Sequence, residues 1–230
     1  MAALAGVEGQ DFGAARARMA AEIDAMYAET RRETGLAAMS APVRAAMSKV
    51  ERHRLVPDAS RASAYGNHPL SIGSGQTISQ PYIVALSTDL LAPKPGDVVL
   101  DVGTGSGYQA AVLAEIASTV YSIELIEPLG REAARRLESM GYRNIEVKIG
   151  DGYRGWAEKA PFDGIVVAAA APQVPAALIE QLKPGGRMVI PVGASDEIQF
   201  LKVLEKRADG RVEERRVLAV RFVPLVPGKP

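Results

Sequence analysis

Apolar and polar positions along the chain first follow a helical period. Between residues 14 and 34, Met19, Ile23, Met26 and Tyr27 recur at helical spacing among alanines and charges, and Gly35 stands where it can end the helix. A second helix is expected from near Ser40, with Pro42 tolerated in its first turn and Val43, Met47 and Val50 on one side. Both helices are expected to pack on the main domain. Residues 57–80, PDASRASAYGNHPLSIGSGQTISQ, then offer few apolar positions among Gly, Ser, Pro and Asn, which predicts a long loop without regular structure. A loop of that length inside a compact domain points to function or disorder. It leads into a third helix, which Thr77 or Ser79 can cap and Pro81 can begin; Ile83, Leu86, Leu90 and Leu91 form its apolar stripe up to Pro93.

From Asp97 the pattern alternates. VVLDV, TVYSIEL, NIEVKIG and FDGIVVAAAA read as strands, with helices predicted at 108–116, 128–140 and 175–182. Continuous apolar strands separated by amphipathic helices imply a parallel sheet covered on both faces, a doubly wound α/β fold. After the turn signal Lys183-Pro184-Gly185-Gly186 come RMVIPVG, IQFLKVLEK and RVLAVRFVPLV with no helical pattern between them, so the sheet should finish with antiparallel strands. The expected division is an amino-terminal helical extension, residues 1–56, packed on a domain formed by residues 57–230.

Composition narrows the chemistry. The 230 residues are 47% hydrophobic, enough for one substantial core. Basic and acidic residues balance at 27 each, which gives no general attraction to nucleic acid or to an anionic membrane. The absence of cysteine excludes a disulfide framework, thiolate metal ligation and a cysteine nucleophile together. The start, MAALAGVEGQDFG, lacks the basic and apolar regions of a leader, and no run approaches the roughly 20 apolar residues of a membrane span. A soluble cytoplasmic protein is the expectation.

The chemistry concentrates in Val98 to Tyr108, VVLDVGTGSGY. Ligands in open α/β sheets sit at the carboxyl ends of the strands, and Gly103, Gly105 and Gly107 would let the backbone approach one there. A dinucleotide fingerprint wants G-x-G-x-x-G/A, and counting from Gly103 its last position falls on Tyr108, a poor fit. Glu124 closes the second strand twenty-one positions on (124 − 103), where a carboxylate can accept from both ribose hydroxyls. Asp151, between two glycines at the end of NIEVKIGDG, could accept from an adenine amino group or simply form a turn. Asp163 is expected to cap its strand. His53 and His68 have no partner at ligand spacing, so no metal site is expected, though His68 could border a substrate. Trp156 is expected to pack against the sheet rim.

VLDVGTGSGYQAAVLA, the upstream GSGQTISQPYIVA, the GDG at 150–152, FDGIVVAAAAPQVPAALIEQLKPGGRMVIPVG and the terminal RFVPLV together resemble the protein-L-isoaspartate O-methyltransferase family, over about residues 50–227. TISQP ahead of a GTGSGY loop is far more specific than the loop alone. The resemblance implies a Rossmann-like methyltransferase sheet that uses S-adenosylmethionine to methylate the free α-carboxylate of isoaspartyl residues in damaged proteins. The ester then collapses to a succinimide that opens partly to normal aspartate. It further implies that Ser79 is the active-site serine meeting the substrate carboxylate. Asp101, Gly103, Thr104, Gly105, Glu124, Leu125, Asp151 and Gly152 would line the cofactor, and Thr77, Ile78, Val223 and Pro224 the isoaspartyl peptide. Partners would be isoaspartyl proteins or peptides, with the enzyme a monomer. The chain departs from the family pattern at Asn67, where an acid is frequent, at Ser71, where proline is, and at Leu55, where an aromatic is common.

This chemistry suits what the sequence lacks. A carboxylate with a reference pKa of about 4 is already a nucleophile at neutral pH. Methyl transfer from a sulfonium to it neutralises two charges, so alignment and fixed dipoles matter more than a strong base. No metal, cysteine or catalytic histidine is required. Two other readings stay open on the sequence: methylation of an ordinary aspartate in a dedicated peptide, and a cofactor-binding module without turnover.

Overall fold

The structure is a computed structural model that describes residues 12–228, so most of the amino-terminal stretch discussed above lies outside the described residues. Helix α1 (Phe12–Thr34) buries Met19, Ile23 and Tyr27, four residues apart, and ends at Gly35 in the left-handed region. Helix α2 (Ala41–Lys49) has Ser40 as its N-cap, accepting from the Val43 N–H, with Pro42 in the first turn. Both pack against the sheet side of the molecule. Met19, Ile23, Val43 and Met47 share one core with Val99, Val112 and Val120, and the Tyr27 hydroxyl donates to Asp89 Oδ2 at 2.5 Å.

The 57–80 segment holds more structure than its composition suggests. It contains a 3₁₀ turn at Asp58–Ser63 and a hairpin of β1 (Leu70–Gly73) and β2 (Gln76–Ile78). Only Ile72 and Ile78 bury side chains in the hairpin, too few to leave a periodic signal. Helix α3 (Pro81–Leu91) follows, and here the expected cap is wrong. Neither Thr77 nor Ser79 caps it: Gln80 occupies the N-cap position without a side-chain bond, and the Asn67 Oδ1 accepts the Tyr82 N–H instead.

The main sheet then builds from β3 (Val98–Val102), α4 (Tyr108–Ala114), β4 (Thr119–Glu124), α5 (Glu127–Ser139), β5 (Ile145–Ile149), β6 (Phe162–Val167), α6 (Ala176–Glu180), β7 (Leu182–Val192), β8 (Gln199–Lys206) and β9 (Val212–Val220). The strand order is β5-β4-β3-β6-β7-β8-β9, parallel through β7 and antiparallel thereafter, which is the expected doubly wound sheet. Along β3 the side chains alternate: Val99 joins the core on one face, and Leu100 and Val102 join the core on the other. Connections leave β3 and β4 on one side and β6 on the other, so the reversal in strand order falls at the carboxyl end of β3.

Two strand boundaries differ from the sequence reading. Lys183-Pro184-Gly185-Gly186 lies inside β7, where Gly185 at φ +84° absorbs a register shift against β6 without ending the strand. RFVPLV, expected as strand, leaves β9 after Val220. Gln199 clamps the departing chain, accepting from the Phe222 N–H at 2.6 Å and donating to the Phe222 carbonyl at 3.3 Å. Residues 223–225 then bridge to Ala170 beyond β6, through Ala170 N–H to the Val223 carbonyl (2.8 Å) and Leu225 N–H to the Ala170 carbonyl (2.7 Å).

Candidate active site

Three stretches distant in sequence meet at the carboxyl ends of β3 and β4: the turn from β2 into α3, the glycine loop after β3, and the tail after β9. They enclose a cleft of about 820 Å³ including its open mouth. Eleven of the residues singled out from the sequence line it: Thr77, Ile78, Ser79, Gly103, Thr104, Gly105, Glu124, Leu125, Gly152, Val223 and Pro224. Sequence reasoning missed Ala168 and Ala169 just after β6, which the rule of strand carboxyl ends could have found, and Gln109 and Ile126, which carried no local signal.

The glycine loop is held by the carboxylate it faces. Gly105, at φ +51°, donates its N–H to Glu124 Oε2 at 2.8 Å, and Glu124 Oε1 accepts from Ile126 N–H at 2.9 Å. Each oxygen keeps acceptor capacity for a ligand hydroxyl. At Gly152 any side chain would meet Val102 Cγ1 at 2.6 Å, so the chain passes this wall only as glycine.

Two carboxylates named from the sequence do not face the cleft. Asp101 is fully buried, the cross-strand partner of Ser122, whose hydroxyl donates to Asp101 Oδ2 at 2.7 Å. Ser122 Oγ lies 2.6 Å from Thr104 Oγ1; its own proton is committed to Asp101, so Thr104 donates to it. Asp101 thus reaches the cleft only through Ser122 and Thr104. Among the described residues its Oδ1 has no partner, and burial pushes its carboxyl up to about 7. Asp151 turns away as well: its Oδ1 accepts Tyr153 N–H at 2.8 Å, capping a 3₁₀ turn at Gly152–Arg154. The tail passes over it, since a Cβ on Gly228 would sit 3.2 Å from Asp151 Cβ and 3.4 Å from Leu125 Cδ1.

Ser79 is half-buried at the junction of this cleft with a second hollow and, among the described residues, its hydroxyl has no hydrogen-bond partner. The other residues noted from the sequence are structural. Asp163 Oδ2 accepts Val98 N–H at 2.8 Å and pairs with Lys183. Trp156 packs edge-on against Tyr121. His53 stacks on Phe12 with centroids 4.0 Å apart, and His68 lines neither hollow.

A glycine loop after the first parallel strand, a carboxylate closing the second, and an open cleft across their ends define a Rossmann-like nucleoside-cofactor enzyme. A family model described as protein-L-isoaspartate(D-aspartate) O-methyltransferase matches residues 24–229, and the chain belongs to that family. Protein-L-isoaspartate O-methyltransferase 1 of Cupriavidus necator is 59% identical over 211 residues, covering 92% of this chain and 82% of the relative. Protein-L-isoaspartate O-methyltransferase 2 of a Polaromonas species is 58% identical over 207 residues, covering 90% and 98%. Among solved structures, a putative protein-L-isoaspartate O-methyltransferase from Plasmodium falciparum in complex with S-adenosyl-L-homocysteine superposes with a TM-score of 0.71 at 25% identity, covering 88% of this chain and 98% of that one.

Proposed function

We propose that the cleft divides the family's reaction between its two walls, with the glycine loop and Glu124 holding the methyl donor and Ser79 holding the acceptor carboxylate. The reaction itself follows from family membership: the chain is a protein-L-isoaspartate O-methyltransferase, an S-adenosylmethionine-dependent repair enzyme for isoaspartyl proteins. When bound, S-adenosylmethionine supplies a methyl group carried on a sulfonium. The residues present suit it. The Gly103–Gly105 backbone leaves room for a nucleoside, Glu124 accepts from ribose hydroxyls while fixed by two N–H groups, and Ile123, Leu125 and Ile126 offer apolar surface beside it.

On the other wall Ser79 donates to the isoaspartyl carboxylate and aims it, while Thr77, Ile78 and the backbone at Val223 and Pro224 hold the peptide on either side. The acceptor is ionised at neutral pH, so Ser79 needs no base and attacks nothing. Gly103, Thr104, Gly105, Leu125 and Gly152 complete the donor wall. Asp101 supports that wall through Ser122 and Thr104, and Asp151 shapes its far end through the 152–154 turn.

The observation that carries this reading is the unengaged Ser79 hydroxyl at the junction of the two hollows. Its test is Ser79→Ala: we expect turnover on an isoaspartyl peptide to fall by about tenfold or more, the worth of a hydrogen bond to a charged group, with affinity for S-adenosylmethionine nearly unchanged. Equal turnover in both proteins would remove Ser79 from the mechanism.

In the same reading residues 57–230 carry the methyltransferase domain, and 1–56 are an extension whose described part packs on it. The enzyme works as a monomer. Support comes from the described large apolar residues that remain exposed, which are only three: Ile149 at the end of β5, and Ile198 and Val226 outside any strand or helix. Among the described residues no helix is long and apolar enough to cross a membrane, and the charge balance offers no anionic surface a broad partner, which suits work in the cytoplasm.

A further inference from the structure

A second hollow, of about 1200 Å³ including its mouth, adjoins the first and shares Thr77, Ser79, Ala168 and Val223 with it. Its far end is apolar and is built from three elements: Met26 of α1, Ile83 of α3 and Leu218 of β9, each only partly buried. No acidic residue lines it.

Met26 is held in place. Its sulfur accepts from Asn67 Nδ2 at 3.1 Å and from Gln80 Nε2 at 3.4 Å. The same Asn67 side chain turns its oxygen to the Tyr82 N–H at the start of α3, and Gln80 Nε2 also donates to the Asn67 carbonyl. An amide can donate to a thioether with one end and accept a backbone N–H with the other; an aspartate here could do the second alone. Asn67 therefore ties the amino-terminal helix to the segment that presents Ser79. Thr30 and Tyr82 make a second tie between the same helices through their hydroxyls, 2.5 Å apart.

We propose that this hollow seats the peptide flanking the isoaspartyl residue, and that Met26, with Ile83 and Leu218, selects a large apolar side chain there. The inference rests on Ser79 marking the acceptor position. Continuity makes the assignment: Ser79 lines both hollows together with Thr77, Ala168 and Val223, so a chain whose isoaspartyl carboxylate reaches Ser79 can pass from the first hollow into the second. An unbranched thioether among aliphatic neighbours accommodates Leu, Met or Phe by burying apolar surface and gives Ser or Lys nothing in return. The amino-terminal helix would then act in substrate choice, not only in packing.

The test is a set of isoaspartyl peptides that differ only in carrying Leu, Ser or Lys two positions before or two positions after the isoaspartate, assayed with labelled S-adenosylmethionine. For the wild-type enzyme, Leu on at least one side should raise kcat/KM about tenfold over Ser, the usual worth of an apolar pocket contact, through KM with kcat little changed. Met26→Leu should keep that ratio. Met26→Glu and, from the opposite wall, Leu218→Glu should bring it to about one and favour the Lys peptide. Equal kcat/KM for Leu and Ser peptides on both sides, or a ratio unaltered in both glutamate variants, would overturn the flank assignment while leaving the acceptor site standing. Failure of wild type to methylate any of the peptides would overturn both.

Discussion

Glu124 Oε2 accepts the backbone N–H of Gly105 at 2.8 Å, so the carboxylate at the end of β4 fixes the loop at the end of β3. One side chain then serves two ends, holding the loop in shape and offering lone pairs to the donor's ribose. Replacing Glu124 by Ala should weaken S-adenosylmethionine binding by about ten- to a hundredfold, the worth of hydrogen bonds to a charged group. Calorimetric titration measures it, and unchanged affinity would remove Glu124 from the donor site.

Asp101 gives a pH signature. Its carboxyl lies near 7 in the folded protein against an ordinary 3.8. Across that window the folded state binds the proton and the unfolded state has released it, so this group's contribution to stability falls as pH rises and is most favourable below the window. Asp101→Asn cannot titrate. Urea unfolding from about pH 4 to about pH 7 should therefore show wild type losing stability relative to the variant as pH rises. Parallel pH profiles for the two proteins would contradict the buried, under-bonded carboxyl.

Arg52 is fully buried and fastens the segment ahead of the hairpin to the cofactor-side helix. Its Nε donates to the Ala64 carbonyl at 2.7 Å, Nη2 to the His68 carbonyl at 3.4 Å, and its guanidinium lies 4.6 Å from the centre of the Tyr108 ring. Burial lowers its pKa to about 10, which still leaves it charged at neutral pH. Arg52→Ala strands the buried Ala64 carbonyl and leaves a cavity, and should cost about 3 kcal/mol in chemical denaturation. Lys cannot reproduce the flat fork, so Arg52→Lys should restore little. A loss under about 1 kcal/mol in Arg52→Ala would show the segment is anchored elsewhere.

Light scattering should return the mass of one chain at micromolar concentration, because only three large apolar residues among those described, Ile149, Ile198 and Val226, are exposed. A mass of two chains would overturn the monomer.

The main sheet was legible because β3 and β6 are near-continuous apolar runs, and β3, β4 and β6 are each followed by a helix. The 70–78 hairpin was not, since two buried isoleucines in nine residues leave no period to read. Lys183-Pro184-Gly185-Gly186 reads locally as a turn, and β7 continues through it because β6 pairs on both sides of it, at Leu182 and at Arg187. Which stretches meet at the cleft was legible from motif and strand ends, but side-chain direction was not. Asp101 is buried beside its cross-strand partner Ser122, and Asp151 turns to its own backbone, choices set by cross-strand register and a local cap. Ser79 was readable as a possible cap; that Asn67 takes the task, thirteen residues earlier in the chain than Gln80 (80 − 67), depends on a tertiary contact.

The central claim is a cleft whose one wall holds a methyl donor and whose other wall presents an isoaspartyl carboxylate to it. Incubation with methyl-labelled S-adenosylmethionine and matched peptides bearing isoaspartate or aspartate at one position tests this directly. The expected result is base-labile methyl ester on the isoaspartyl peptide alone; ester on the aspartyl peptide, or on neither, would contradict it.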